Sequence, residues 1–256
     1  MRTARTWPTL VVAILALAGC AGPAPSGGAA VRPPTGGGDL VLRLTTLPGL
    51  LPPGGAAAVP PSFSLYGDGL LITGPASAAP GVWPAFVQRQ AAGADVLRLL
   101  RQASDAGLLD GTASARSSSA VPDGSVLVVT VASTTERRTT TVPLSDGPTA
   151  RLKDDLAALA TGAGTPYQPS AVAVISTANN DPSAQVRTWP LADLDGQPMS
   201  GLNAGARCAV LRGNDINAVR AAAEGATAGT LWRGDDQLWA LAFRPLLPNE
   251  PDCAAL

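Results

Sequence analysis

The chain holds three thiols, Cys20, Cys208 and Cys253, and no histidine. A thiol can act as a nucleophile, ligate a metal, carry a lipid or pair as a disulfide. Nucleophilic use needs a base beside it, and the usual base is imidazole. Without histidine, Ser-His-Asp and Cys-His activation are excluded, and so is histidine-ligated zinc. Glutamates are equally scarce: Glu136, Glu224 and Glu250 are the whole set. A Ser-x-x-Lys arrangement would need serine three places before Lys153, where Ala150 stands. Neither a Gly-x-Ser-x-Gly elbow nor a phosphate-cradling Gly-x-x-x-x-Gly-Lys loop occurs. The composition points to a non-enzymatic role. No catalytic residue, no cofactor and no metal ligand set is expected, and aspartate-only chemistry is the one enzymatic route left open.

Cys20 stands apart from the other two thiols. Arg2 and Arg5 make a basic start without an acid, and Leu10 to Ala18 is unbroken apolar sequence. A basic start, a short apolar run and small residues are the physical signature of an export leader. The run is too short to span a bilayer. Leu17-Ala18-Gly19-Cys20 resembles the lipobox of bacterial lipoproteins. That resemblance implies cleavage after Gly19, a diacylglyceryl group on the Cys20 thiol, and a chain held at the outer face of a cell membrane. A single acyl chain holds only marginally, whereas two or three on one residue give a persistent attachment.

With Cys20 assigned to lipid, Cys208 and Cys253 remain. Exported chains meet an oxidising environment, where an even pair reads as a disulfide. Closing the long loop between them is worth at most roughly 4 kcal/mol. The alternative is two buried, unpaired thiols.

The charge balance is even, 18 basic against 19 acidic side chains, and the arginines are scattered. Nucleic-acid binders carry a basic patch or stripe, so no nucleic-acid partner is expected. Residues 20–38 are rich in Pro, Gly, Ala and Ser and read as a tether. Order is expected from Asp39, in an N-terminal half over 39–164 and a C-terminal half over 165–256.

Leu40 to Thr45 reads as a strand, and Pro48 to Pro61 as a long loop. Phe63-Ser64-Leu65-Tyr66 and Leu70-Leu71-Ile72-Thr73 flank Gly67-Asp68-Gly69, a hairpin signal. Val96, Leu97, Leu99, Leu100 and Ala103 recur at helical spacing, with Gly107 placed to end the helix. Val126 to Val131 reads as a central strand and Arg138 to Val142 as its neighbour. Asp146 is placed to cap a second helix, with Pro148 in its first turn and Leu152, Leu156 and Leu159 inward. Ala171 to Ile175, Val186 to Leu191 and Ala209 to Leu211 read as strands. Asn214 is placed to cap a third helix, with Ile216, Val219 and Ala223 inward. Leu231 to Arg233 and Leu238 to Phe243 form a last hairpin. Short turns between strands, with about three helices, predict an α+β fold of mainly antiparallel sheet, in two subdomains of similar size or one continuous unit.

Four aromatic residues of the second half, Trp189, Trp232, Trp239 and Phe243, either build a core or line a ligand pocket. Arg233-Gly234-Asp235 and Asp193-Leu194-Asp195-Gly196 are read as solvated turns, because the first is common turn chemistry and the second lacks the further calcium ligands its spacing requires.

Three segments carry a wider resemblance: Phe63-Ser64-Leu65-Tyr66-Gly67-Asp68-Gly69, Ala106-Gly107-Leu108-Leu109, and Arg244-Pro245-Leu246-Leu247-Pro248-Asn249-Glu250. In them the chain resembles actinobacterial exported lipoproteins of unassigned activity, which implies location and a single fold but no chemistry. Residues 121–160 also resemble small bacterial inhibitors of thermolysin-like metalloproteases, through Pro122-Asp123-Gly124, two strands and a helix. The expected partners are therefore a membrane, reached through the lipid, and either an envelope protein or a small apolar ligand. A surface protease inhibitor is the further alternative.

Overall fold

The computed structural model describes residues 31–75, 82–113, 124–192, 194, 196–234 and 236–256. Cys20 and the leader lie outside the described residues, as do Pro122, Asp123, Asp193, Asp195 and Asp235. Val31 to Leu256 forms one compact unit. It holds two sheets, four α-helices among the described residues, and four buried apolar clusters, which is the α+β architecture expected from the sequence.

The first sheet is built from β1 (Leu40–Leu47), β2 (Phe63–Tyr66), β3 (Leu70–Thr73), β4 (Val87–Gln90), β5 (Val126–Ala132), β6 (Arg137–Pro143) and β7 (Thr165–Pro166). Their order is β6-β5-β1-β2-β3-β4-β7, antiparallel at every pairing. Register Leu65↔Leu71 puts two leucines on one face, and Ser64↔Ile72 puts the next pair on the other. Leu65 and Leu71 join Leu42, Leu44, Leu127, Val129 and Val142 under two helices, α2 (Gly93–Asp105) and α3 (Gly147–Leu159). The opposite face carries Leu40, Tyr66, Ile72 and Phe86, and Leu247 from the far end of the chain covers it.

Local signals account for the helix ends. Gly107, at φ 75°, closes α2: its amide donates to the Ser104 carbonyl and the Leu108 amide to that of Ala103, the paired bonds of a glycine-terminated helix. The Asp146 carboxylate accepts from the Thr149 amide at 3.2 Å and begins α3. In the hairpin turn Gly69 sits at φ 90°, and a Cβ there would collide with the Ala91 carbonyl.

The second sheet is built from β8 (Ala171–Ala178), β9 (Val186–Thr188), β10 (Gln197–Pro198), β11 (Arg207–Arg212), β12 (Leu231–Gly234) and β13 (Gln237–Pro245). Its order is β10-β11-β8-β13-β12-β9, antiparallel except for the parallel β9–β12 edge. Val172 and Val174 face Trp232, Leu241, Phe243 and α4 (Asn214–Ala223). Ala171, Ala173 and Ile175 face the other way, toward Cys208, Leu246 and Ala57.

Several boundaries differ from the sequence reading. The stretch Pro48 to Pro61 is not all loop. It contains α1 (Gly55–Ala58), a single turn whose Ala57 packs on the second sheet and whose amide donates to Asn203 Oδ1 at 2.9 Å. Four residues are too few for helical periodicity to show. Val87–Gln90 pairs as a strand despite its polarity, because it lies near the sheet edge. The strand from Val186 stops at Thr188, where Trp189 turns inward. Gly213 rather than Asn214 occupies the cap of α4, and no side chain caps that helix. Order begins before Asp39: Val31 packs against the first core and the Thr134 amide donates to the Arg32 carbonyl, so the expected tether lies on the fold from Val31 onward.

The two sheets are joined through Glu250. Its Oε1 lies 2.8 Å from Arg43 Nη1 on β1 and 3.0 Å from Arg244 Nη2 on β13. Its Oε2 accepts the Leu247 amide at 2.9 Å. Asn249 Oδ1 accepts from Arg43 Nη2 at 2.8 Å and from the Tyr66 hydroxyl at 2.9 Å. The segments quoted for the lipoprotein resemblance, around Tyr66 and Glu250, thus meet in space. Cys208 and Cys253 are disulfide-bonded, Cα atoms 6.1 Å apart across a separation of 45 residues, which fastens the same segment to β11.

Removing one partner of a buried ion pair strands the other charges. Glu250→Ala is expected to cost about 3–5 kcal/mol in chemical denaturation. Asp155→Ala, which breaks an exposed pair with Arg98, is expected to cost less than about 1 kcal/mol. Equal costs for the two variants would refute a clamp at Glu250.

Candidate functional site

The four aromatic residues singled out in the sequence lie together but do not form a pocket. Trp232 is fully buried, Trp189 and Phe243 nearly so, and Trp239 packs half-buried against them. Trp189 meets Trp232 edge-on at 5.9 Å between ring centroids, and Trp232 meets Phe243 in the same way at 5.9 Å. This is the geometry of a packed aromatic core.

The row of rings continues outward to a residue the sequence reading did not use. Trp83 stacks on Phe243 at 5.4 Å, tilted by 33°, and is half-buried. It stands at the mouth of a cleft of about 300 Å³ between the 48–60 segment and residues 82–85. Leu50, Pro52, Val59, Pro84 and Phe243 contribute to the walls. Phe243 is the one predicted aromatic that reaches this cleft. Two rim side chains stay in water at a cost: Leu50 is 80% exposed and Val82 37%. Large apolar side chains gathered beside an apolar cavity mark a binding surface more often than chance exposure does. Trp83 carried a signal in sequence, namely a tryptophan between Pro80 and Pro84 outside any periodic stripe, and in the fold it packs on the edge of the second core.

A larger hollow, about 610 Å³, lies beside the disulfide, where Gln197, Ser200, Asn203 and Asp252 make it more polar. Asp252 already accepts from the Ala254 amide, and Asn203 from that of Ala57. These two polar groups serve the fold, and the apolar cleft with its exposed rim is the better candidate. Among the described residues no group of three or more His, Cys, Asp or Glu side chains is placed to hold a metal ion. No helix among them is long and apolar enough to cross a membrane.

The strongest electrostatic feature is the Glu250 cluster. Burial pulls the Arg244 guanidinium below its ordinary value, and the Glu250 charge opposes that shift. Burial pushes Tyr167 up to about 12, with Glu250 adding to the effect. Burial raises Tyr66 still further, against the pull of Arg43. The Tyr167 hydroxyl donates to the Leu246 carbonyl at 3.0 Å. Every oxygen of Glu250 is engaged, so the cluster is a clamp and offers no free base. The β5–β6 hairpin and α3, the elements of the inhibitor resemblance, are present, and Leu127, Val129, Val142, Leu152 and Leu156 from them lie in the first core.

Comparison with protein-family models, curated proteins and solved structures gives no match for this chain.

Tyr66 and Tyr167 are the only tyrosines, and both are held neutral. A folded value above the unfolded one stabilises the fold up to the unfolded value near 10, and that contribution disappears as pH climbs through the folded values. An ultraviolet titration of the folded protein is therefore expected to show almost no phenolate at pH 10, and stability is expected to fall from about pH 10 to 12. Half-ionisation of both phenols near pH 10 would contradict their burial.

Proposed function

We propose that the chain is an exported lipoprotein, anchored through Cys20, whose folded unit binds a small apolar ligand in the cleft beside Trp83. The observation that carries the reading is the cleft itself: about 300 Å³, apolar, rimmed by the exposed Leu50 and walled by Trp83 and Phe243. That volume is at the lower end of the range for small-molecule sites. The anchor rests on Leu17-Ala18-Gly19-Cys20 and the basic, apolar leader before it. The two parts fit one role. A lipid fixes the protein at the outer face of a membrane, where apolar molecules are found, and a non-enzymatic unit without histidine holds one of them.

Cys20→Ser is expected to leave the leader uncut or to release the protein from membranes on fractionation. Normal cleavage with retention at the membrane would defeat the lipid anchor. For the cleft, the soluble segment 31–256, which holds all four apolar clusters and the disulfide, is titrated with the neutral fluorophore N-phenyl-1-naphthylamine. Saturable binding is expected, weakened about tenfold by Trp83→Ala, a loss of about 1.4 kcal/mol. Binding that survives both Trp83→Ala and Leu50→Arg would place the ligand elsewhere.

A further inference from the structure

Arg220 projects from α4 toward Trp83, with its guanidinium carbon 5.1 Å from the ring centroid. It is half-buried. Among the described residues it has no carboxylate partner, and its Nε is buried without a hydrogen-bond acceptor. Arg244, which is buried and whose Nε also lacks an acceptor, differs in that its charge is neutralised by Glu250. Buried polar groups are nearly always satisfied, so an unsatisfied donor calls for an explanation. Stacking on an aromatic face suits a guanidinium, which is weakly hydrated and keeps its charge and its planar set of donors.

The surroundings give that cation room for a ligand. A hollow of about 360 Å³ is lined by Trp83, Asn217, Arg220 and Glu224. A second, of about 250 Å³, is lined by Gln168, Ser170, Asn217 and Arg220. Trp83 therefore lines both the apolar cleft and the first hollow, and Arg220 lines both hollows. One acid shares this space. The Glu224 side chain is exposed and makes no ion pair with Arg220, while its backbone carbonyl accepts from Arg187 at 2.7 Å. An apolar cavity on one side of an indole and an uncompensated cation stacked on the same ring match a molecule with two unlike ends.

We propose that the ligand of the cleft is an amphipathic anion, its apolar chain between Leu50 and Phe243 and its carboxylate or phosphate headgroup held by Arg220 beyond Trp83. This assignment rests on the cleft reading above and adds the headgroup. Guanidinium forms paired, charge-assisted hydrogen bonds with either oxyanion. Asn217, which lines both hollows beside Arg220, supplies a neutral amide donor at the same place.

The test compares decanoate, decyl phosphate and decanol binding to the segment 31–256 by calorimetry, below their aggregation limits. At least one anion is expected to bind about tenfold or more tightly than decanol, the size of a charge-assisted contact. The tighter of the two identifies the headgroup. Arg220→Gln is expected to abolish the preference, so that neither anion binds more tightly than decanol, with a retained cooperative unfolding transition as the control for folding. Glu224→Gln is expected to strengthen anion binding severalfold. If decanol binds as tightly as both anions, or if Arg220→Gln keeps the preference, the headgroup assignment is wrong and the cleft reading stands. If none of the three binds, the cleft reading falls and the assignment falls with it.

Discussion

The fold depends on one carboxylate between two guanidiniums. Glu250 is nearly inaccessible, and its partners come from different sheets: Arg43 from the first and Arg244 from the second. Taking three charges out of water is costly, and only tight geometry with further hydrogen bonds repays it. The structure supplies both. The Leu247 amide completes the carboxylate, Asn249 takes a second donor of Arg43 together with the Tyr66 hydroxyl, and Arg244 donates to its neighbouring Pro245 carbonyl. Around this polar centre lie the apolar contacts of Leu246 with the second sheet and Leu247 with the first. The same short segment therefore closes both layers.

The cleft is lined by a connection within the first sheet. The 48–60 segment joins two neighbouring strands of the first sheet, β1 and β2, and reaches out to the second sheet on the way. Only Gly55–Ala58 forms a helical turn, and its Ala57 is buried against the second sheet. The remaining apolar groups of the segment line a gap instead of filling one. Trp83, on the opposite wall, continues an aromatic row that starts deep in the core at Trp189. The row connects the cleft wall to the second core through a series of ring contacts.

Much of the architecture was legible in the sequence wherever one physical signal dominated. The hairpin at Gly67-Asp68-Gly69, the α2 stop at Gly107 and the Asp146 cap each depend on a local backbone requirement, and each is where it was expected. The disulfide followed from the parity of thiols. What was hidden was long-range. Nothing local marks Glu250 as the partner of Arg43, and the Asn249–Arg43 bond spans 206 positions. Trp83 stands between Val82 and Pro84, three residues after Pro80, and belongs to no stripe. The four expected aromatics were correctly grouped, but a group of rings reads the same in sequence whether it fills a core or faces a cavity.

The position of Glu250 also orders events in time. Until residues 246–250 arrive, Arg43 and Arg244 have no counter-charge and one face of the first sheet has no cover. A chain that emerges amino end first cannot complete either sheet's packing before this segment is out. Contacts of such sequence separation are slow to form. Both layers therefore gain their full packing only when residues 246–250 reach back to β1.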